Sequence, residues 1–261
     1  GAYRVTGGSL SVFGRDVMAM GARDLEALRG AEIGMIFQEP MNALNPAIRV
    51  GEQIAAVLRR HKRLGRAEAS AEAERLLRDM FIADPAAVMK LYPAALSGGM
   101  RQRVLIAMAF ACKPRLLIAD EPTTALDVTV QAQVLSIIQT RARALGTAVL
   151  FISHDMAVVG QLCDRLYVLY AGTVVESGPT QAVLAAPRHP YTRALLAALP
   201  DGHLPRSDLA AIPGSVPSLI DPPEGCRFRP RCARAAEDCT RRPLLGDAPH
   251  AAACWHPEIA T

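Results

Sequence analysis

Two adjacent carboxylates follow a short apolar run near the middle of the chain and are the first candidates for chemistry. Leu116–Ala119 is typical of a buried strand, and Asp120 and Glu121 come directly after it. In open α/β sheets, nucleotides bind in the crevice at the carboxyl ends of the strands. There Asp120 would hold Mg²⁺ through water, and Glu121 would polarise an attacking water molecule. The alternative is an acidic cap on a following helix, which the pair alone does not exclude.

A serine and two glycines upstream of this strand form a second candidate. In the segment Leu96–Arg103, the residues Ser97, Gly98 and Gly99 come just before a helical pattern. Such a helix start leaves backbone N–H groups free for a phosphate, and the helix dipole adds to the attraction. An ordinary serine cap followed by flexible glycines is the alternative. The whole segment, placed ahead of a strand that ends in Asp-Glu, favours phosphate binding.

These segments together resemble a known family. Leu96–Arg103 resembles the signature motif of ATP-binding cassette (ABC) ATPases, and Leu116–Glu121 resembles their Walker B motif. Gln38, Asp127 and His154 follow the family's order as well, at positions similar to the Q-loop, the D-loop and the switch histidine. The sequence is therefore identified as a member of this family. The resemblance implies a P-loop NTPase-like α/β fold, with a mainly parallel sheet and a helical subdomain.

The resemblance also implies a role for each position. Glu121, His154 and Gln38 would be catalytic: His154 contacts the γ-phosphate, and Gln38 senses the metal and the attacking water. Asp120 would bind Mg²⁺ together with Gln38, and Asp127 would reach across a dimer interface. The nucleotide held by the opposite subunit would be bound by the signature-motif positions Ser97, Gly98, Gly99 and Gln102.

One element of the family pattern is missing. The family requires a phosphate-binding loop, Gly-x-x-x-x-Gly-Lys-[Ser/Thr], ahead of the other motifs, and no segment of this sequence has it. The lysine and backbone of that loop cradle the phosphates. We therefore expect these 261 residues alone to bind nucleotide poorly and to hydrolyse almost none. Because Glu121 and His154 are intact, a missing N-terminal segment is a simpler explanation than decay of the site.

Longer segments narrow the resemblance to one branch. Phe37–Pro46, His189–Leu196 and Gly225–Cys232 resemble the ATPase subunits of oligopeptide and dipeptide importers, a group that also includes nickel importers. This implies ATP and Mg²⁺ as cofactors and a second ABC ATPase subunit, homologous or identical, as partner. It further implies two transmembrane permease subunits and, indirectly, an extracytoplasmic substrate-binding protein. The chain would then be peripheral, on the cytoplasmic face of the membrane.

Other functions stay open beside peptide import. A nickel or other small-solute importer of the same branch fits the same motifs. Non-transport ABC ATPases of translation or DNA repair usually carry two such domains or a coiled-coil insertion, and neither is present here. An inactive or regulatory remnant is the third alternative, because the phosphate-binding loop is missing.

Four cysteines crowd near the C-terminal end: Cys226, Cys232, Cys239 and Cys254. Five, six and fourteen residues separate them, which is not the CxxC spacing of zinc ribbons. In a proline-rich segment with few core residues, they still suggest a metal staple. Some relatives with such a tail carry an iron–sulfur cluster there. The resemblance puts a cluster first, zinc second and free thiols third.

The elements that must position these residues follow from periodicity. Apolar runs at 33–37, 116–119 and 148–152 predict buried strands, and helical patterns at 68–80, 99–111 and 128–145 alternate with them. Strands near 166–169 and 173–176 and a short helix at 191–199 follow. Many prolines after residue 200 leave little room for regular structure. We expect an ATPase domain over 1–200, with a helical subdomain at about 40–95, and a cysteine-rich extension over 201–261.

Composition is consistent with a soluble domain and gives no sign of a nucleic-acid partner. Apolar residues make up 51% of the chain and the net charge is +4. No apolar run reaches the roughly 20 residues needed to span a bilayer. The basic run Arg59–Arg63 lies in a helical pattern without interleaved aromatic residues. A solvated helix face therefore explains it better than a nucleic-acid patch.

Overall fold

The computed structural model describes residues 5–38, 43–124, 126–199 and 211–258. The chain divides into two compact units, which comprise residues 1–154 and 155–261. The domain boundary expected near residue 200 lies beside positions 200–210, which are outside the described residues. The division into an ATPase domain and an extension at that point stays a prediction.

A three-stranded parallel sheet organises the first unit. Its strands are β3 (Ile33–Ile36), β4 (Leu116–Asp120) and β5 (Ala148–Ile152), in the order β3-β4-β5. Each strand is a short apolar run, and helices lie between the strands along the chain, as parallel crossovers require. The register places Asp120 beside Ile152 at the carboxyl end. This confirms the expected parallel α/β sheet and sets three strand ends along one edge.

The described helices of the first unit are α1 (Ala22–Ala31), α2 (Val50–Lys62), α3 (Arg66–Asp79), α4 (Pro85–Val88), α5 (Gly98–Phe110) and α6 (Val128–Leu145). Of these, α3, α5 and α6 begin and end close to the predicted positions, whereas the sequence did not predict α1 and α4. Helix α1 has non-helical backbone at Arg29 and Gly30. Two short strands, β1 (Ser11–Val12) and β2 (Arg15–Asp16), pair antiparallel ahead of α1, as the turn residues of this stretch predict.

One apolar core joins the sheet of this unit to its helices. Ile36 and Leu117 of the sheet belong to it, as do Phe110 of α5 and Ile138 of α6. Helix α5 is buried along most of its length, which explains why its apolar residues do not keep to one face. Strand β3 approaches α5 so closely that a Cβ on Gly34 would lie 2.4 Å from the backbone oxygen of Ala109.

The basic run of α2 is paired with acidic side chains of the same unit. Arg59 bonds Glu52 of its own helix, and Arg60 bonds Glu26 of α1. Lys62 lies 3.9 Å from Glu72 of α3. The second and third pairs connect α2 to α1 and to α3.

The second unit is built on an antiparallel sheet. Strands β6 (Arg165–Tyr170), β7 (Thr173–Pro179) and β8 (Ala251–Ala252) lie in that order, and α7 (Met156–Leu162), α8 (Thr180–Ala185) and α9 (Pro190–Ala197) accompany them. Only Ala171 and Gly172, both with positive φ, join β6 to β7. So short a connection permits only antiparallel pairing. Parallel pairing among the described strands is thus confined to β3–β5, and the expectation of a mainly parallel sheet does not extend to this unit.

Residues 211–258 contain little regular structure, as their prolines predict. Besides β8, this segment has two 3₁₀ turns, Arg229–Arg231 and Glu237–Thr240. Arg231 donates hydrogen bonds to the backbone oxygens of Ile212 and Pro213, at 2.9 and 2.7 Å. Hydrogen bonds from side chains to backbone oxygens therefore stabilise parts of this segment that have no strand pairing.

In the part of the chain that the structure describes, no helix has both the length and the apolar character needed to cross a membrane.

The close approach of β3 to α5 makes a testable prediction about Gly34. Gly34→Ala places a methyl group against the rigid backbone of Ala109, so we expect the free energy of unfolding to fall by about 1–3 kcal/mol. Urea denaturation measures this change. Gly7→Ala is the matched control, because a Cβ at Gly7 meets nothing within 4 Å. Equal stability of both variants would contradict the packing described here.

Candidate functional site

Glu121 lies at the carboxyl end of β4, in a backbone conformation that is unusual for its residue type. Its φ is 44°, in the left-handed region that L-residues seldom adopt. Its N–H donates to the backbone oxygen of Ile152, 3.0 Å away, which ties the turn to the end of β5. A strained residue that the surroundings hold in place is characteristic of functional sites.

Three side chains from three segments converge on the Glu121 carboxylate. Gln38 Nε2 donates to Oε2 at 2.9 Å, and Thr124 Oγ1 donates to the same oxygen at 2.8 Å. His154 Nδ1 lies 3.1 Å from Oε1. Gln38 follows β3 and His154 follows β5, so parallel strand ends bring the predicted catalytic residues together at one edge. Thr124 completes the group from the loop after β4.

The electrostatics of the group favour a charged carboxylate. The hydrogen bond from Thr124 and that from His154 lower the pKa of Glu121 below its ordinary value, and Gln38 contributes in the same direction. The side chain of Glu121 is 22% exposed and that of His154 is 77% exposed. A largely accessible imidazole beside a partly covered carboxylate can meet a ligand from the solvent side.

Asp120 is the last residue of β4 and is partly buried. Its carboxylate is of the type that Mg²⁺ prefers, and with Gln38 it remains the candidate pair for that ion. Asp120 takes no part in the hydrogen bonds around Glu121 that are described above. Its role as a magnesium ligand stays a prediction.

The signature-motif residues form the first turn of α5. Ser97 caps the helix by accepting the N–H of Met100 at 3.3 Å. Gly98 and Gly99 follow, and a Cβ on Gly99 would lie 2.8 Å from Cγ1 of Val130 in α6. Glycine at this position therefore has a packing reason within the chain, in addition to the predicted approach of a phosphate.

Gln102 and Asp127 make contacts within the chain. Gln102 is 1% exposed, and its Nε2 donates to the backbone oxygen of Pro122 at 2.6 Å. It thus connects α5 to the loop that follows Glu121. Asp127 caps α6 by accepting the N–H of Val130 at 2.9 Å. The nucleotide contacts predicted for both residues stay predictions. Two segments next to the predicted site residues lie outside the described residues: 39–42, which follow Gln38, and Ala125, which belongs to the D-loop segment.

Sequence reasoning missed Thr124. Its hydroxyl lies three residues after Glu121 in a turn, and Thr124 N–H donates to the Glu121 backbone oxygen at 3.1 Å. A serine or threonine hydroxyl commonly bonds a neighbouring residue across such a turn, so the Glu-Pro-Thr-Thr run carried a signal.

The four C-terminal cysteines line one small cavity in the second unit, together with His189, Phe228 and His256. Backbone N–H groups approach two of the sulfurs: that of Arg234 lies 3.4 Å from Cys232 Sγ, and that of His256 lies 3.4 Å from Cys254 Sγ. Burial raises the pKa of Cys254 to about 11, and the neighbouring cysteines add to this shift. The structure thus brings the four predicted ligands together.

A buried carboxylate that the sequence did not single out supports this cavity from β7. Glu176 is fully buried and accepts the N–H groups of Arg188 and His189, at 2.7 and 2.9 Å. His250 Nε2 lies 2.7 Å from Oε1, the oxygen that also accepts the N–H of Arg188. These contacts hold the start of α9 close to β8. No local pattern in the sequence predicts them.

Comparison with known protein families agrees with the fold. The family described as "ABC transporter" matches residues 1–124, and the family described as "Oligopeptide/dipeptide transporter, C-terminal region" matches residues 175–239. A solved structure of a dimeric ATP-binding cassette, in a post-hydrolysis state with ADP and Pi, has a TM-score of 0.60 and 25% identity. The alignment covers 67% of this chain and 74% of the chain in that structure.

Similar proteins carry names of the same kind. The chain is 55% identical to the probable D,D-dipeptide transport ATP-binding protein DdpD of Escherichia coli, over 99% of this chain and 80% of that protein. It is 47% identical to the oligopeptide transport ATP-binding protein OppD of Salmonella typhimurium, over 92% of this chain and 71% of that one.

The chain belongs to the ATP-binding proteins of ABC transporters, which are ATPases that use ATP with Mg²⁺. Within that family it belongs to the group that carries the oligopeptide/dipeptide transporter C-terminal region. This confirms the family identified from the motifs. The low activity expected of these 261 residues alone stays a prediction.

The contact between Thr124 and Glu121 predicts a change in pH dependence. Thr124→Val removes the hydrogen bond that contributes most to the lowered pKa of Glu121, so this pKa should rise. With the charged carboxylate as the predicted base, the acidic limb of the kcat profile should move to higher pH. At neutral pH the carboxylate stays charged in both proteins, so the difference in kcat should be confined to acidic pH. The measurement is ATP hydrolysis by the assembled transporter across a pH range.

Thr123→Val is the matched control, since the hydroxyl of Thr123 makes no contact with Glu121. An unchanged pH profile in Thr124→Val, with normal protein stability, would contradict the assigned hydrogen bond.

Proposed function

We propose that this chain is the ATP-hydrolysing subunit that energises the import of small peptides. The observation that carries the proposal is the convergence of Gln38, Thr124 and His154 on the carboxylate of Glu121. In phosphoryl transfer the protein mainly positions groups and stabilises charge, and a held carboxylate at a strand end suits that task. Peptide import is favoured over nickel import, because the similar proteins cited above are named for peptides.

Each residue of the group has a task that its contacts suit. Glu121 accepts a proton from the attacking water, and the hydrogen bonds from Thr124, His154 and Gln38 keep it charged until then. His154 holds one carboxylate oxygen and presents the rest of its ring to the solvent side, where a γ-phosphate would lie. Gln38 holds the other oxygen. MgATP, when bound, supplies the phosphoryl group and the charge that these residues face.

A second ATPase subunit completes the proposed site. Ser97, Gly98 and Gly99 lie at the start of α5, where free N–H groups and the helix dipole attract a phosphate from a facing subunit. Asp127 begins α6 beside them, as the packing of Gly99 on Val130 requires. Two permease subunits and an extracytoplasmic binding protein complete the proposed importer. The chain would act at the cytoplasmic face of the membrane.

Glu121→Gln tests the proposed role in transport. The change keeps the size of the side chain but removes the charged base, so ATP hydrolysis should fall by roughly 10²–10⁴-fold and peptide uptake should stop. The assay is ATP-dependent uptake of a labelled dipeptide into vesicles that contain the complete transporter. Glu68→Gln, an exposed residue of α3, is the matched control. Uptake at the normal rate in Glu121→Gln would overturn the proposed mechanism.

We also propose a metal centre at Cys226, Cys232, Cys239 and Cys254. The residues fit a thiolate-bound group, since four sulfurs line one cavity and backbone N–H groups point toward two of them. The raised pKa values of Cys226, Cys232 and Cys254 would keep these thiols protonated without a metal, and a bound metal would displace the protons. When bound, the group cross-links four points of a segment that has little regular structure.

In the described part of the chain, no three of the four sulfurs lie within 4.8 Å of one another, which favours an iron–sulfur cluster over a single zinc ion. Four thiolates around zinc lie about 3.8 Å apart, given Zn–S bonds of about 2.3 Å in a tetrahedron. Among the described residues, the group of three metal-capable side chains within 4.8 Å of one another is Asp238, Cys239 and His256, and it includes a single cysteine. A four-iron cluster holds its thiolates further apart, because each binds a different iron. Zinc at the mixed group is the second candidate.

Metal analysis distinguishes these candidates. Protein purified without oxygen should contain iron and sulfide, and Cys232→Ser should lose most of both because a ligand is removed. Cys112→Ser, a half-buried cysteine of the first unit, is the matched control and should keep them. Stoichiometric zinc without iron would favour the mixed group instead, and four freely reactive thiols without any metal would refute both.

A further inference from the structure

His189 begins α9 and is held in one orientation. Its Nδ1 accepts the N–H of Tyr191 at 3.0 Å, and its own N–H donates to Glu176 at 2.9 Å. The ring is 1% exposed and lies with its centroid 6.0 Å from that of Phe228. Backbone and side-chain contacts together leave the imidazole little freedom to rotate.

The same contacts determine where the ring carries its proton. Nδ1 accepts a hydrogen bond and therefore has no proton, so in the neutral ring Nε2 carries the hydrogen. A ring whose Nδ1 accepts a hydrogen bond is not doubly protonated, so His189 is neutral. Nε2–H is thus a fixed hydrogen-bond donor.

This donor has no partner among the residues that the structure describes. His189 Nε2 is fully buried and makes no hydrogen bond. A buried donor without an acceptor is costly, and such groups in native proteins call for an explanation. His189 lines the same cavity as Cys226, Cys232, Cys239 and Cys254. An acceptor that occupies the cavity would satisfy the donor.

We propose that Nε2–H of His189 donates a hydrogen bond to a sulfur atom of the group held by the four cysteines. The proposal rests on the iron–sulfur cluster proposed above. Sulfur atoms of such clusters carry negative charge and accept hydrogen bonds, and these bonds raise the reduction potential by stabilising the more negative, reduced form. His189 is then a positioning residue that tunes the centre without binding iron. It also connects the centre to β7, because Glu176 holds the backbone of His189 in place.

Two substitutions separate the two nitrogens of the ring. His189→Asn keeps an oxygen near the position of Nδ1, which can cap α9, but it has no group at the position of Nε2. His189→Gln places an amide N–H as many bonds from the backbone as Nε2 but loses the cap. The readout is the reduction potential of the anaerobically purified, full-length protein, followed by electron paramagnetic resonance. His61→Asn in the first unit is the control for loss of a histidine.

We expect His189→Asn to keep its iron but to shift the ratio of oxidised to reduced cluster about tenfold toward the oxidised form, which is about 59 mV for one electron. His189→Gln and His61→Asn should stay near the wild-type potential. Equal potentials in the wild type and His189→Asn, at equal iron content, would overturn the proposal for His189 alone. Absence of iron from the wild type would overturn the cluster as well, whereas peptide uptake tests the transport function separately.

A second measurement does not depend on the stability of the Asn variant. In wild-type protein with ¹⁵N-labelled histidine rings, pulsed paramagnetic resonance of the reduced cluster should detect a ring nitrogen, and His189→Gln should lose that signal. An identical signal in both proteins would contradict donation by His189.

Discussion

The hydrogen bonds to the Glu121 carboxylate are the interaction on which the first unit depends for its chemistry. They can form only if β3, β4 and β5 run parallel and in register, because Gln38, Glu121 and His154 follow three different strands. The register is fixed in turn by the apolar core, where α5 packs so closely on β3 that only glycine fits at position 34. Packing in the core thus sets distances at the edge of the sheet.

Much of this unit was predictable from the sequence, for a physical reason. Its strands are continuous apolar runs and its helices have clear starts, so local pattern alone located α6 at Val128–Leu145 and β5 at Ala148–Ile152. The second unit was less predictable. The pairing of β8 with β7 involves two short segments far apart in the chain, and neither carries a signal for the other. The role of the buried Glu176 was not predictable either, since its hydrogen-bond partners are mostly backbone groups, which carry no residue-type signal.

The candidate sites follow the same division. Residue types and order indicated Gln38, Glu121 and His154, because strand ends meet at one edge. They could not indicate that the hydrogen bond from Thr124 contributes most to lowering the pKa of Glu121. Nor could they indicate that the buried Gln102 side chain donates to the backbone oxygen of Pro122. The cysteines were visible as a cluster in sequence, yet the unpartnered nitrogen of His189 beside them is a property of packing alone.

The most direct test of the central claim is a double-mutant cycle between Gln38 and His154, measured as ATP hydrolysis by the assembled transporter. The two side chains bond different oxygens of Glu121, so Gln38→Leu and His154→Leu should each slow hydrolysis. If they act through one carboxylate, the double variant should be faster than the product of the single effects, by a coupling of about 0.5–3 kcal/mol. Strictly multiplicative effects would mean that the two residues act independently and that Glu121 is not their common point.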